Sequence, residues 1–255
     1  MTHDVLVCTT TQMALLPAAR RTMYRLADPK YGPLQPHRRP AGSAADRGEW
    51  NRFDLAGEHT IYAASTEEGA YAERIQPLKH AAPIPASELF DDADEGETVE
   101  ESIAHDFAAA GHPPPHTIDL EWLYKLRMYT LQLPEHGWLV HAEHSNSVAY
   151  LHRNRPPAVA EAGLSQVTVS VLRSEMRKVT THLAEVMAKP QLHDDSRAIG
   201  MLYGSKMGSD WDCWTVWLRD GIEDQIHTDA GRPVLPPTSN PALANLLAKY
   251  GLTAL

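Results

Sequence analysis

The sequence predicts an α+β domain, and three observations carry that expectation. A short strand pattern at 58–64 runs straight into a capped helix. A helical period over 174–188 is followed by two further strand patterns, at 198–205 and 213–218. No regular strand–helix alternation of the parallel type connects them. The chain has 255 residues, of which 43% are hydrophobic and 22% charged. One domain is the better prior at that length, and a chain this long buries roughly three quarters of its unfolded surface without disulfides or metal.

The elements follow in order. Residues 29–48 are rich in Pro, Gly and Ala and read as an irregular loop. Residues 58–64 read as a strand centred on Ile61 and Tyr62. Ser65 with Glu68 has the capping-box form, so a helix is expected from Thr66 to Ile75, ending before Pro77. Residues 77–116 are flanked by prolines and strongly acidic. They read as an insertion (about 85–116) holding a helix near Val99–Ala110.

Lys125–Leu133 and Trp138–Val140 read as strands. Val167, Val169 and Val171 alternate, which predicts a strand over Gln166–Leu172. Met176, Val179, Leu183, Val186 and Met187 then recur at helical spacing up to Pro190. Ala198–Ser205 and Cys213–Leu218 read as strands joined by a Gly-Ser-Asp turn at 208–210. Asn240 as N-cap, Pro241 at the first helical position, the Leu243/Leu246/Leu247 stripe and Gly251 mark a C-terminal helix.

No apolar run approaches the roughly 20 residues that cross a bilayer. Met1–Cys8 lacks a basic flank and a long apolar core, so no signal peptide and no membrane partner are expected. Cys8 and Cys213, as the two cysteines, suit a reducing cytoplasm. The net charge is −10, which disfavours a general nucleic-acid binder. That average conceals an asymmetry. Arg20 to Arg52 holds eight bases against three acids, whereas Glu88 to Asp106 holds nine acids and no Lys or Arg. A local basic patch on an acidic chain points to a small anionic ligand rather than a polymer.

Other signals are weak. His141-Ala142-Glu143-His144 matches no zinc-protease spacing, so no metal is expected. Walker and Gly-x-Gly-x-x-Gly loops are absent, and Gly204-Ser205 is not part of a Gly-x-Ser-x-Gly elbow. Trp211, Trp214 and Trp217 read as packing residues.

Three polar groups surround the first strand and helix. Arg52 precedes the strand, Tyr62 lies in it, and Glu73 is in the last turn of the helix beside small Ala70 and Ala72. A strand that folds back into a helix can turn Tyr62 and Glu73 toward one cleft. Ser205 ends a later strand. Taken singly, Tyr62 reads as a core tyrosine, Glu73 as a solvated carboxylate and Ser205 as a turn hydroxyl. Their joint order is what carries information.

That order resembles a known family. Tyr24-Arg25, then Trp50-Asn51-Arg52-Phe53 with Gly57, Ile61-Tyr62-Ala63-Ala64-Ser65, Ala70 and Glu73 are similar to the RES domain. So are Ile199–Ser205 and Cys213–Leu218, preceded by the Ser174–Ala188 helix. The resemblance covers 24–75 and 165–219. It implies a fold like that of ADP-ribosyltransferases, with a central mixed or antiparallel sheet flanked by helices.

It also implies a toxin-like enzyme of a toxin–antitoxin system that cleaves the nicotinamide–ribose bond of NAD⁺. Inorganic phosphate would be the acceptor, giving ADP-ribose 1″-phosphate and nicotinamide. The alternatives are NAD⁺ hydrolysis, protein ADP-ribosylation and a non-catalytic nucleotide-binding module. Many members of the family pair with a small DNA-binding antitoxin, so such a protein is an expected partner. The family's arginines fall on Arg25 and Arg52, its tyrosine on Tyr62, its glutamate on Glu73 and its serine on Ser205. In those roles the arginines bind phosphate, Tyr62 positions nicotinamide or ribose, Glu73 stabilises the cation and Ser205 anchors ribose or acceptor. No cofactor beyond the substrate is implied. The long 25–52 loop leaves open whether Arg38 or Arg39 joins the site. The acidic insertion, opposite in charge to the basic third, could cover the cleft as a lid.

Overall fold

The computed structural model describes residues 4–42, 46–75, 84–89, 91, 94, 96–112 and 117–254. Pro77 and Pro113–Pro115 lie outside the described residues. The strands are β1 (Leu6–Val7), β2 (Ala14–Pro17), β3 (Thr22–Ala27), β4 (His59–Ala64), β5 (Thr117–Ile118), β6 (Arg127–Gln132), β7 (Trp138–His141), β8 (Gly200–Gly204), β9 (Asp212–Leu218), β10 (His227–Thr228), β11 (Arg232–Pro233) and β12 (Thr253–Ala254). The α-helices are α1 (Glu67–Ile75), α2 (Val99–Ala109), α3 (Glu121–Tyr124), α4 (Ser145–Arg153), α5 (Pro157–Glu161), α6 (Val169–Leu172), α7 (Arg177–Ala188) and α8 (Pro241–Lys249).

One mixed sheet organises the molecule, in the order β1-β2-β7-β8-β9-β4-β3-β6-β10, with β11 also on β6. Its pairs are antiparallel except β7 with β8. That parallel pair needs a crossover, and the segment bearing α4 to α7 supplies it. The alternation of β8 and β9 divides the core. Met201, Tyr203, Cys213 and Trp217 pack on the side covered by α7, with Val179, Leu183 and Met187. Leu202, Trp214 and Val216 pack on the other, with Ile61 and Leu139. Gly200 is required in this sheet, because a Cβ there would sit 2.1 Å from the Thr215 carbonyl oxygen.

A third cluster joins α1 and α8 through Tyr71, Ile75, Leu243 and Leu246. Asn240 caps α8 by accepting from the Leu243 N–H and also donates to the Tyr71 hydroxyl at 2.8 Å. Gly251 ends that helix at a φ of +62°.

Two expectations fail at particular residues. Gln166–Leu172 is not a strand, since Val169–Leu172 forms one helical turn capped by Thr168. Val167 and Val171 both enter the core beneath α7. The alternating valines therefore fit a short turn as well as a strand, and no neighbouring strand is there to pair with them. At α1 the cap is Thr66, whose hydroxyl accepts from the Gly69 N–H at 3.0 Å, while the Ser65 N–H donates to the Asp212 carbonyl.

The acidic insertion has local order in its described part. Thr98 and Glu101 form a full capping box for α2, and Pro85 bridges Thr98. No residue of α2 is buried, and Ile103 and Phe107 are exposed. Among the described residues no helix is long and apolar enough to cross a membrane.

Candidate functional site

Strands β3 and β4 share a single register pair, Tyr24 opposite Ala64, and then part. On its other side each strand remains paired along its length, β3 with β6 and β4 with β9. The sheet thus splits at its centre, and the split is the floor of a cleft of about 1080 Å³. That exceeds the few hundred to about 1,000 Å³ typical of small-molecule sites, so a dinucleotide has room. Five arginines (25, 38, 52, 74 and 177) line it against three carboxylates, Asp28, Glu73 and Glu175.

Arg25 spans the split. Its Nη1 donates to the Tyr62 carbonyl at 2.8 Å and its Nε to the Pro33 carbonyl at 3.0 Å. It thereby satisfies the Tyr62 carbonyl that the missing β3–β4 ladder leaves open. Burial, and then the neighbouring Arg74 charge, pull Arg25 down to about 10. It remains cationic at neutral pH.

Arg52 sits on a rigid loop. Trp50, Phe53 and Leu55 around it are buried, and Trp217 Nε1 donates to the Phe53 carbonyl at 3.0 Å. Asp54, 2% exposed, ties the loop to β4. Its carboxylate takes the Tyr62 O–H at 2.7 Å, the Asn51 N–H at 2.9 Å and Arg39 Nε at 2.5 Å. Arg52 itself is 8% exposed, and its guanidinium lies 5.5 Å from the ring centres of both Phe53 and Tyr203. Its Nε and Nη1 have no hydrogen-bond partner among the described residues.

The Tyr62 hydroxyl is fully engaged, donating to Asp54 and accepting the Phe53 N–H at 3.0 Å. Burial and the Asp54 charge push this phenol well above its ordinary value. What Tyr62 offers the cleft is its ring.

Glu73 is half-buried on the cleft wall, because Ala70, Tyr71, Ala72 and Ile75 fasten the other sides of α1. Ser205 Oγ donates to Glu73 Oε1 at 2.5 Å and accepts the Met207 N–H at 3.0 Å. The buried Cys213 thiol faces the same carboxylate, and burial with that charge pushes the thiol well above its usual range. Ser205 is 1% exposed and is not among the cleft-lining residues. The resemblance sets it against ribose or acceptor, and the hydrogen bonds it makes among the described residues run to Glu73 and Met207. The hydroxyl turns inward and orients the carboxylate.

Arg25, Arg52, Tyr62 and Glu73 all line one cleft, with Ser205 directly behind Glu73. Arg38 also lines it, with its Nε donating to the Gly57 carbonyl at 2.6 Å, whereas Arg39 is spent on Asp54. No described residue of the insertion lines the cleft. His144 caps α4 and Glu143 pairs with Arg173 at 2.6 Å.

Sequence reasoning missed Asp54, Arg74, Arg177 and Tyr203. Arg177 carried a readable signal. It opens α7 beside Lys178 with no acid in the first turn, the reverse of the usual preference at a helix N-terminus. No family model and no curated protein matches the chain.

Proposed function

We propose that the chain cleaves the nicotinamide–ribose bond of NAD⁺, with phosphate as acceptor, in the manner its resemblance to RES domains implies. The observation that carries this reading is the held carboxylate. Glu73, gripped by Ser205 at 2.5 Å, stands in a dinucleotide-sized cleft otherwise dominated by arginines. Breaking the glycosidic bond develops an oxocarbenium-like cation on the ribose. A fixed carboxylate stabilises that charge, and a ribose hydroxyl can donate to it. Guanidinium groups suit the pyrophosphate through paired N–H donors. Nicotinamide is an aromatic cation in NAD⁺, and the ring of Tyr62 is a suitable face for it. The leaving nicotinamide needs no metal, because it departs as a neutral amide once the bonding pair moves to its ring nitrogen.

Under this reading a small antitoxin would cover the cleft mouth, as partners do in that family. The test is nicotinamide release by Glu73→Ala. Turnover should fall at least ~100-fold, the loss typical of removing a transition-state charge partner. The thermal transition of the variant should persist. A folded variant with full activity overturns the assignment.

A further inference from the structure

Arg52 and Arg177 both line the cleft, and each has a buried guanidinium nitrogen without a hydrogen-bond partner among the described residues. Arg52 is more than nine-tenths buried, yet its Nε and Nη1 are unpaired among the described residues. Arg177 holds the exposed Glu175 through Nη2, a carboxylate that Lys206 also engages, but its buried Nη1 has no partner among the described residues. The two guanidinium groups also repel one another. Burial and then the Arg52 charge hold Arg177 below the usual arginine range, against smaller opposing effects of Tyr62, Asp54 and Tyr203. Burying two like charges with open donors costs stability. Phe53 and Tyr203, whose rings meet edge-on at 4.8 Å, pack together against Arg52, with its guanidinium 5.5 Å from each ring centre.

We propose that Arg52 and Arg177 form a subsite for a tetrahedral phosphoryl oxyanion, distinct from the Arg25–Arg74 pair. A dianion between the two guanidinium groups takes the open N–H donors and cancels the repulsion. Arg25 is held differently, with two of its five N–H donors committed to the Tyr62 and Pro33 carbonyls. The oxyanion has two sources: free inorganic phosphate, or a phosphoryl group carried by the nucleotide. The subsite stands on this geometry alone. Reading it as the seat of the acceptor rests on the function proposed above.

The experiment measures thermal stabilisation of the full chain by inorganic phosphate and, separately, by ADP-ribose, at constant ionic strength with chloride as control. Wild type, Arg177→Gln and Arg52→Gln are compared. Each variant should bind the oxyanion about tenfold more weakly or worse, the loss expected for a charge-assisted donor. Without ligand, each should melt no lower than wild type, because a repulsive charge has been removed. A merely structural arginine would instead lower the melting point. Loss of the response to phosphate alone identifies the free anion, and loss of the response to ADP-ribose alone identifies the nucleotide's own phosphoryl group. Variants that respond to both like wild type overturn the subsite. Phosphate binding that depends on Arg177, without any nicotinamide release from NAD⁺, keeps the subsite and removes the enzymatic reading.

Discussion

Ser205 Oγ donates to Glu73 Oε1 across 2.5 Å, joining residues 132 positions apart in the chain. The serine sits just past β8 and the glutamate in the last turn of α1, so the bond ties the central sheet to the helix flanking the cleft. A hydrogen bond to a charged group is worth about 1.5–3 kcal/mol. Ser205→Ala should therefore slow turnover by about 10- to 100-fold. KM for NAD⁺ should change little, because Ser205 does not line the cleft. Steady-state kinetics separate the two parameters. A selective rise in KM would mean that Ser205 touches substrate.

Asp54 is the structural hinge of the site. Removing its carboxylate strands the Tyr62 O–H, the Asn51 N–H and Arg39 together. Asp54→Ala should cost about 3 kcal/mol in a urea melt, the scale of breaking a buried ion pair. A loss of less than about 0.5 kcal/mol, the scale of an ordinary surface substitution, would show that the loop holding Arg52 is fastened otherwise.

Arg25 gives the site a pH limit. Its folded value of about 10 lies below the ordinary arginine range. The unfolded chain therefore holds this proton more tightly, and for this group the stability of the empty protein rises as pH passes through about 10. Anion binding has the opposite sign, since the cation is lost over the same range. Affinity for ADP-ribose should fall as pH rises through that value, with proton uptake on binding there. Calorimetry in two buffers of different ionisation enthalpy measures both, and a flat affinity profile across that pH would contradict the role of Arg25.

The insertion should be dispensable for chemistry. Helix α2 buries no residue, and no described residue of the segment lines the cleft. Replacing 84–112 by a short linker should leave kcat and KM for NAD⁺ unchanged, as expected for a surface segment in which Ala86 is the one buried residue among those described. Faster turnover after deletion would restore the idea of a self-inhibitory lid.

Much of this architecture was readable from residue order. Strand β4, α1, β9, α7 and α8 have strong periodicity or explicit caps, and physical pattern determines them locally. Strands β1 and β2 are too short to show a period, and β3, as long as β4, carries Tyr24 and Arg25 toward a cleft rather than an unbroken apolar face. The split between β3 and β4 depends on pairing between distant segments, which no local pattern records. The identity of the polar groups was legible, but their direction was not. Ser205 points inward to Glu73, and the Tyr62 hydroxyl points back to Asp54. Such orientations are decided by burial and by which acceptor lies opposite.

The most direct measurement of the central claim is product analysis of NAD⁺ incubated with the purified chain, with and without inorganic phosphate. The account predicts nicotinamide together with ADP-ribose 1″-phosphate when phosphate is present, and neither product with Glu73→Ala. Intact NAD⁺ after incubation with folded wild-type protein would contradict it.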